Sequence, residues 1–390
     1  MPWSTLEFSS PAWLRPAPTL PLGRTSPFAT CYDSLYRWTE AWTECLAYAS
    51  THKGGILGLP PGSKLPFSMH QGYAMHKVTT CDTPTFSPQE TQEAQEWIYS
   101  AQHPADCAVA QLGLDEYFNS GMGSSIFGTA NSFMLALSRG QVWLPIGGWM
   151  GGSCPLGTME CFFEPVSNCT PPLGGMAAID GVRIHSASSI NRQMANRVVA
   201  IPLKWQHKGF MWWRAQVVAF MLRPNNITSA ALTAAARRLF PQGLPRPFVG
   251  VFLRHGDKEP ESPVFRGKKY LEMLAAPIDE LQLKAAFISS DTQEVNEEAV
   301  NVFQEAGIAA HTVPRNRGTS VKSAGPATLY TESFSLDLIL DLFLFANADV
   351  FSGISSSNWV RLADSLRLVL GHGSQLLPIV DPFGVPYMEW

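Results

Sequence analysis

Charge is scarce in this chain. Only 15% of its 390 residues are Asp, Glu, Lys or Arg, and the formal net charge is −4. A nucleic-acid surface calls for a basic domain or stripe, so that class of partner is set aside. Cysteine is absent from the second half: all seven, Cys31, Cys45, Cys81, Cys107, Cys154, Cys161 and Cys169, lie before residue 170. None forms a CxxC pair, which argues against zinc. Confinement to one loop-rich half reads as disulfides in an oxidising lumen with one thiol left over, the other reading being buried, reduced cysteines of a cytosolic protein. Long apolar runs are missing too. Phe210 to Leu222, the most apolar helix-like segment, is interrupted by Arg214 and falls short of the ~20 residues of a membrane helix, so no span is expected. The N-terminal MPWSTLEFSSPAWLRPAPTLPLG lacks a basic region followed by an apolar core; the expectation is a soluble chain whose start is not a signal peptide.

What is abundant points elsewhere. Hydrophobic residues reach 45% and Trp, Phe, Pro and Gly are plentiful, a composition that suits a loop-rich protein of the secretory type. Two sequons, Asn168-Cys169-Thr170 and Asn226-Ile227-Thr228, agree with a luminal setting. Chain length predicts two domains. Residues 1–95 are irregular and rich in Pro, Gly and aromatics, apart from a helix expected around Tyr36 to Ala49. Residues 96–240 form a first α/β domain. The segment FPQGLPRP, with its prolines and glycine, makes 241–247 a linker. Residues 248–390 form a second α/β domain.

That second domain is the most regular part. FVGVFLRHGDK, KKYLEMLAA, KAAFISSD, TQEVNEEAVNVFQEAG, IAAHTVPR, TESFSLDLILDLFLFANA, DVFSGISSS and NWVRLADSLRLVL alternate strand-like with helix-like patterns. Short apolar strands joined by helices predict right-handed crossovers and a parallel, Rossmann-like sheet. In such sheets ligands bind at the carboxyl ends of the strands. The candidates there are Arg254, His255, Asp257 and Lys258 on the first strand, Ser289, Ser290 and Asp291 on the second, and Ser355, Ser356 and Ser357 on a later one. A cation-rich tip suits a phosphate-bearing ligand. In the first domain, Gly121-Met122-Gly123-Ser124-Ser125 opens an apolar helix, where backbone amides form an anion site and glycine admits a phosphate; a tight turn explains the same glycines. Ser355 to Ser357 offer hydroxyls at a helix start, and one of them is an N-cap. Asp341 is buried deep in the apolar run Leu338 to Phe345 and needs a partner. Paired N–H donors, as on guanine, would supply one.

Five segments, in order, resemble the family 23 glycosyltransferases, the core α1,6-fucosyltransferases of N-glycans and the Nod-factor fucosyltransferases, over roughly residues 95–370. They are QHPADC with the Gly121 loop; MECFFEPVSNCT; FLRHGDK, which resembles HVRRTDK; FISSD, which resembles YLATDD; and the run YTESFSLDLILDLFLFANADVFSGISSSNWVRLA. The resemblance implies a GT-B-like fold, with two Rossmann-like α/β domains facing across a cleft. It also implies GDP-fucose as donor, a glycan or glycoprotein as acceptor, a Golgi or secretory location, and inverting transfer with no metal cofactor. The absence of any Asp-x-Asp pair fits the last point. It further implies a donor-binding set of Gly121, Gly123, Arg254, His255, Asp291, Asp341, Ser355, Ser356 and Ser357, with Asp341 on guanine. The catalytic set is Arg254, Asp257, Lys258 and Glu261: Arg254 clamps the β-phosphate, Lys258 neutralises the leaving group, and Glu261, or its neighbour Glu259, is the base.

The chain departs from the pattern at several places. Phe252 stands for the leading histidine, His255 for the second arginine, Gly256 for the threonine and Thr292 for the second aspartate. Another donor sugar, or a non-catalytic descendant that binds a nucleotide sugar or glycan, are the alternatives. Protein O-fucosyltransferases and wall-polysaccharide fucosyltransferases share this layout, but the glycine loop and FEPVSNCT favour family 23.

Overall fold

The computed structural model describes residues 88–117, 121–149, 156–170, 200–255, 264–315, 331–354 and 357–370. The helix expected at Tyr36 to Ala49 lies outside them. The first unit begins with α1 (Pro88–Gln102), β1 (Leu112–Glu116), α2 (Met122–Ser138) and β2 (Val142–Ile146). β1 and β2 pair in parallel, Leu112 opposite Val142. Two helices follow, α3 (Gly209–Met221) and α4 (Asn226–Leu239). α3 carries two neighbouring tryptophans, Trp212 and Trp213, and is buried along nearly its whole length, as expected of a helix apolar on every side. α4 is capped by Asn225, whose side chain accepts from the Thr228 amide.

The second unit runs β3 (Phe248–Leu253), α5 (Gly267–Met273), α6 (Ala275–Leu281), β4 (Ala285–Ser290), α7 (Gln293–Glu305), β5 (Ala309–His311), α8 (Glu332–Ala346), β6 (Val350–Gly353) and α9 (Asn358–Val369). Its strands are parallel in the order β5-β4-β3-β6, the arrangement of a Rossmann half-sheet. All residues of β3 and β4 are buried, because helices cover both faces. Gly250 lets α8 and β6 come close to the central strand: a Cβ there would lie 2.9 Å from Phe345 and 3.2 Å from Phe351. Where the chain enters β3, Asp349 accepts from the Phe248 amide at 2.8 Å and pairs with Arg246 at 3.1 Å.

Packing crosses the 241–247 segment in both directions. α9, the last helix among the described residues, packs on α3 and α2 of the first unit, while α4 packs on α8 of the second. One hydrophobic core therefore runs from Ala94 through Phe133, Trp213, Phe252, Phe287 and Phe345 to Val369, and a smaller one fills the opposite face of the four-stranded sheet. The protein is α/β, with two parallel sheets joined by shared helices. Among the described residues no helix is long and apolar enough to cross a membrane.

Candidate functional site

β3 and β4 lie side by side with Leu253 opposite Ser290, so the residues that follow, Arg254 and Asp291, meet at the carboxyl edge. The Arg254 guanidinium donates to Asp291 Oδ2, and the His255 amide donates to Oδ1 at 2.8 Å. His255 is a donor-binding candidate whose ring is buried, with Nε2 donating to the Phe265 carbonyl at 2.9 Å. Its side chain is committed to the protein, and only its backbone reaches Asp291. An imidazole fits between the strand end and the start of α5 with its nitrogen satisfied by that carbonyl, where a second arginine would need a partner for its charge.

Two residues before Asp291, Ser289 near the end of β4 makes the second contact of this edge. Residues i and i+2 of a strand share a face about 7 Å apart. The Ser289 hydroxyl donates to Asp341 Oδ2 at 2.6 Å. Arg315, just past β5, pairs with the same oxygen at 2.5 Å and donates to Ser289 Oγ at 3.0 Å. Asp341 is wholly buried, and its Oδ1 has no hydrogen-bond partner among the described residues. The carboxylate expected to need a partner thus has two in the protein, both on Oδ2, and one oxygen left over.

The glycine loop packs against the start of α9. Gly121 caps α2 with no side chain, but Gly123 faces α9: a Cβ there would stand 3.2 Å from the Trp359 amide nitrogen and 3.4 Å from its ring. Asn358 also donates to Ser124 Oγ at 2.9 Å. The missing side chain at Gly123 is used to bring two helix N-termini together. Ser357 occupies the N-cap position of α9 but makes no side-chain capping bond, so the expected capping role is not found at this serine. Asp257, Lys258, Glu261, Ser355 and Ser356 lie outside the described residues.

The first unit supplies the frame. Gln102 at the end of α1 accepts from the Trp143 amide at 2.8 Å and donates to the Gln141 carbonyl at 3.2 Å, and its own carbonyl accepts from Ser167 at 2.7 Å. Cys107 and Cys169 form a disulfide, and Cys161 is disulfide-bonded as well. QHPADC and FEPVSNCT, two of the resembling segments, are thus fastened to each other. Nearby, Asp115 of β1 accepts from Trp143 Nε1 at 2.9 Å. Burial pushes its carboxyl up to about 6, partly offset by that hydrogen bond and by Arg139. Sequence reasoning missed Arg315 and Asp115, whereas Gln102 opens the QHPADC segment already singled out. A signal existed for Arg315, since it ends the strand segment IAAHTVPR as Arg254 ends FVGVFLR; nothing local marks Asp115.

No protein-family model matches the chain. A curated protein of Drosophila melanogaster, an α-(1,6)-fucosyltransferase, is 25% identical over 293 residues, which is 69% of this chain and 45% of that protein. The chain spans less than half the length of that fucosyltransferase. Among solved structures, a mutant FUT1 of Arabidopsis thaliana in complex with GDP aligns with a TM-score of 0.45 at 12% identity, covering 71% of this chain and 73% of that one. POFUT1 in complex with GDP-fucose aligns with a TM-score of 0.41 at 12% identity over 71% and 98%. NodZ α-1,6-fucosyltransferase soaked with GDP-fucose gives 0.37 at 15% identity over 66% and 93%.

Proposed function

We propose that this protein is a glycosyltransferase that moves fucose from GDP-fucose to a glycan hydroxyl, with inversion and without a metal ion. One observation carries the reading: Arg254 and Asp341 are tethered to positions two residues apart, Arg254 through Asp291 just past β4 and Asp341 through Ser289 within it, at the carboxyl edge of a parallel sheet. One is a planar cation suited to a diphosphate and the other a carboxylate suited to a guanine edge. The activity of the Drosophila melanogaster relative supports the same reaction class.

In the proposed reaction a general base takes the proton of the acceptor hydroxyl as its oxygen attacks the sugar's anomeric carbon, and the bond to the β-phosphate oxygen breaks. Arg254 and Lys258 stabilise the negative charge that gathers on the departing diphosphate. Glu261 supplies the base, with Glu259 its nearest substitute, and Asp291 holds Arg254 in place. The amides and hydroxyls of Ser355 to Ser357 and of the Gly121 loop add donors around the phosphates. We place the protein in the secretory lumen, where the Cys107–Cys169 disulfide persists. We also take 248–390 as the nucleotide-sugar-binding domain and 96–240 as the α/β domain that brings the Gly121 loop to it, joined at 241–247.

A second reading is a nucleotide-sugar-binding protein without turnover. It is favoured by the engagement of Arg254 with Asp291 and by Phe252 and Gly256 in place of the family's histidine and threonine. Calorimetric titration with GDP, UDP and GDP-fucose, first without and then with divalent metal, tests the donor site. Metal-free binding of GDP that is lost in Asp341→Ala supports it, and absence of binding by folded protein refutes it. Release of GDP from GDP-fucose in the presence of glycan acceptors separates the two readings.

A further inference from the structure

Asp341 is an anion in a setting hostile to ions. It is wholly buried, and Leu340, Leu342, Phe343 and Leu344 around it in sequence are buried too. An unpaired carboxylate there would be very unfavourable. The pairing is one-sided: Oδ2 takes both the Arg315 guanidinium and the Ser289 hydroxyl, which fills its lone-pair directions, while Oδ1 has no partner among the described residues. Arg315 is itself fixed. Besides Asp341 and Ser289, it reaches the Asp337 carbonyl at 3.4 Å and lies 5.8 Å from the centre of the Phe334 ring. A planar fork held at several points holds the carboxylate it grips in one orientation.

We propose that Arg315 is a positioning residue that sets nucleotide specificity. It grips Oδ2 and so fixes the orientation of the carboxylate, leaving Oδ1 for the N–H donors of a purine edge. This rests on the reading of Asp341 as the base contact given above. Guanine offers neighbouring N–H donors at N1 and N2, whereas adenine has a lone pair at N1 beside its amino group. A carboxylate held with its free oxygen toward the base favours the first and repels the second. Without the guanidinium, the Ser289 hydroxyl is the contact to Asp341 that remains among the described residues, and the carboxylate is no longer held in that orientation. Arg315 thereby decides which base Asp341 accepts.

The test is calorimetric titration of the full chain with GDP and with ADP, as wild type and as Arg315→Met, Arg315→Gln and Arg315→Lys, each checked for a cooperative thermal melt. The wild type is expected to prefer GDP by roughly 10- to 100-fold, the discrimination of a good two-point base contact. Arg315→Met and the milder Arg315→Gln are expected to bring the GDP-to-ADP ratio close to one, and Arg315→Lys, which keeps the cation, to restore most of it. A neutral variant that weakens both nucleotides alike, leaving the ratio intact, overturns the specificity role and leaves Asp341 as the base contact. A wild type that binds neither nucleotide overturns the reading of the site itself, and this inference with it.

Discussion

The two sheets of this protein are held in different ways. The two-stranded sheet is fastened by fixed bonds: the Cys107–Cys169 disulfide, the triple contact of Gln102, and the Asp115–Trp143 hydrogen bond. The four-stranded sheet is buried throughout β3 and β4, and its ionic contacts lie at the strand ends, Arg246–Asp349 where the chain enters β3 and Arg254–Asp291 and Arg315–Asp341 at the carboxyl edge. Polar contacts serve as scaffold in the first region and as a prepared edge in the second. Loss of a contact should therefore register as stability in one and as ligand binding or turnover in the other.

The strongest way to break this contrast is to remove the disulfide. Closing a loop of 62 residues restricts the unfolded chain by about 4 kcal/mol in the chain-entropy treatment. Cys107→Ser is expected to lower the melting temperature sharply under oxidising conditions, yet to leave GDP affinity of the folded protein unchanged. A parallel loss of GDP affinity would mean that the two regions are not separable. Arg254→Ala is the mirror experiment. The proposed role predicts a 10²- to 10³-fold fall in transfer rate, the usual effect of deleting a charge-stabilising donor, with a melt close to wild type because Arg254 and Asp291 are both partly exposed. Undiminished transfer would remove Arg254 from the mechanism.

Asp115 sharpens the comparison through pH. Its folded carboxyl is raised from 3.8 to about 6 by burial, so between those values the folded state holds the proton more tightly than the unfolded chain. Stability from this group therefore falls as pH rises from about 4 to about 6, and the penalty is full above that range. Two units correspond to at most about 3 kcal/mol. Asp115→Asn should raise the melting temperature at pH 7.5 and change it little at pH 4; an equal effect at both would show that burial does not govern this carboxyl. The smallest expected effect sits where the two regions touch. Gly123→Ala puts a methyl 3.2 Å from the Trp359 backbone, and an overpacking cost of about 1 kcal/mol follows. Because α2 and α9 belong to different sheets, this variant alone should lower both the melt and GDP binding. A change in only one would place the junction within that region.

Much of this was legible in the chain. The alternation that predicts a parallel sheet is local: β3, α7, β4, α8 and β6 each announce themselves by periodicity, and the abrupt charge at Arg254 marks a strand end. Asp341 is conspicuous because a carboxylate inside an apolar helix demands a partner. The role of Gly123 was not legible, since a glycine before a helix looks the same whether a phosphate or a tryptophan fills the space beside it. The burial of His255 was hidden for a similar reason: its ring partner, the Phe265 carbonyl, carries no sequence signal.

Sequence alone determined the α/β class, the order of strands and helices in the second unit, and the placing of Arg254 and Asp291 at strand ends. Those properties follow from residues within a few positions of each other, through periodicity and the geometry of parallel crossovers. Tertiary structure decided that Cys107 joins Cys169, that Arg315 rather than a neighbour on α8 pairs with Asp341, and that Ser124 meets Asn358 across 234 residues. Each of these depends on two distant segments arriving at one place, and only the packed core that carries α9 back onto α2 and α3 brings them there.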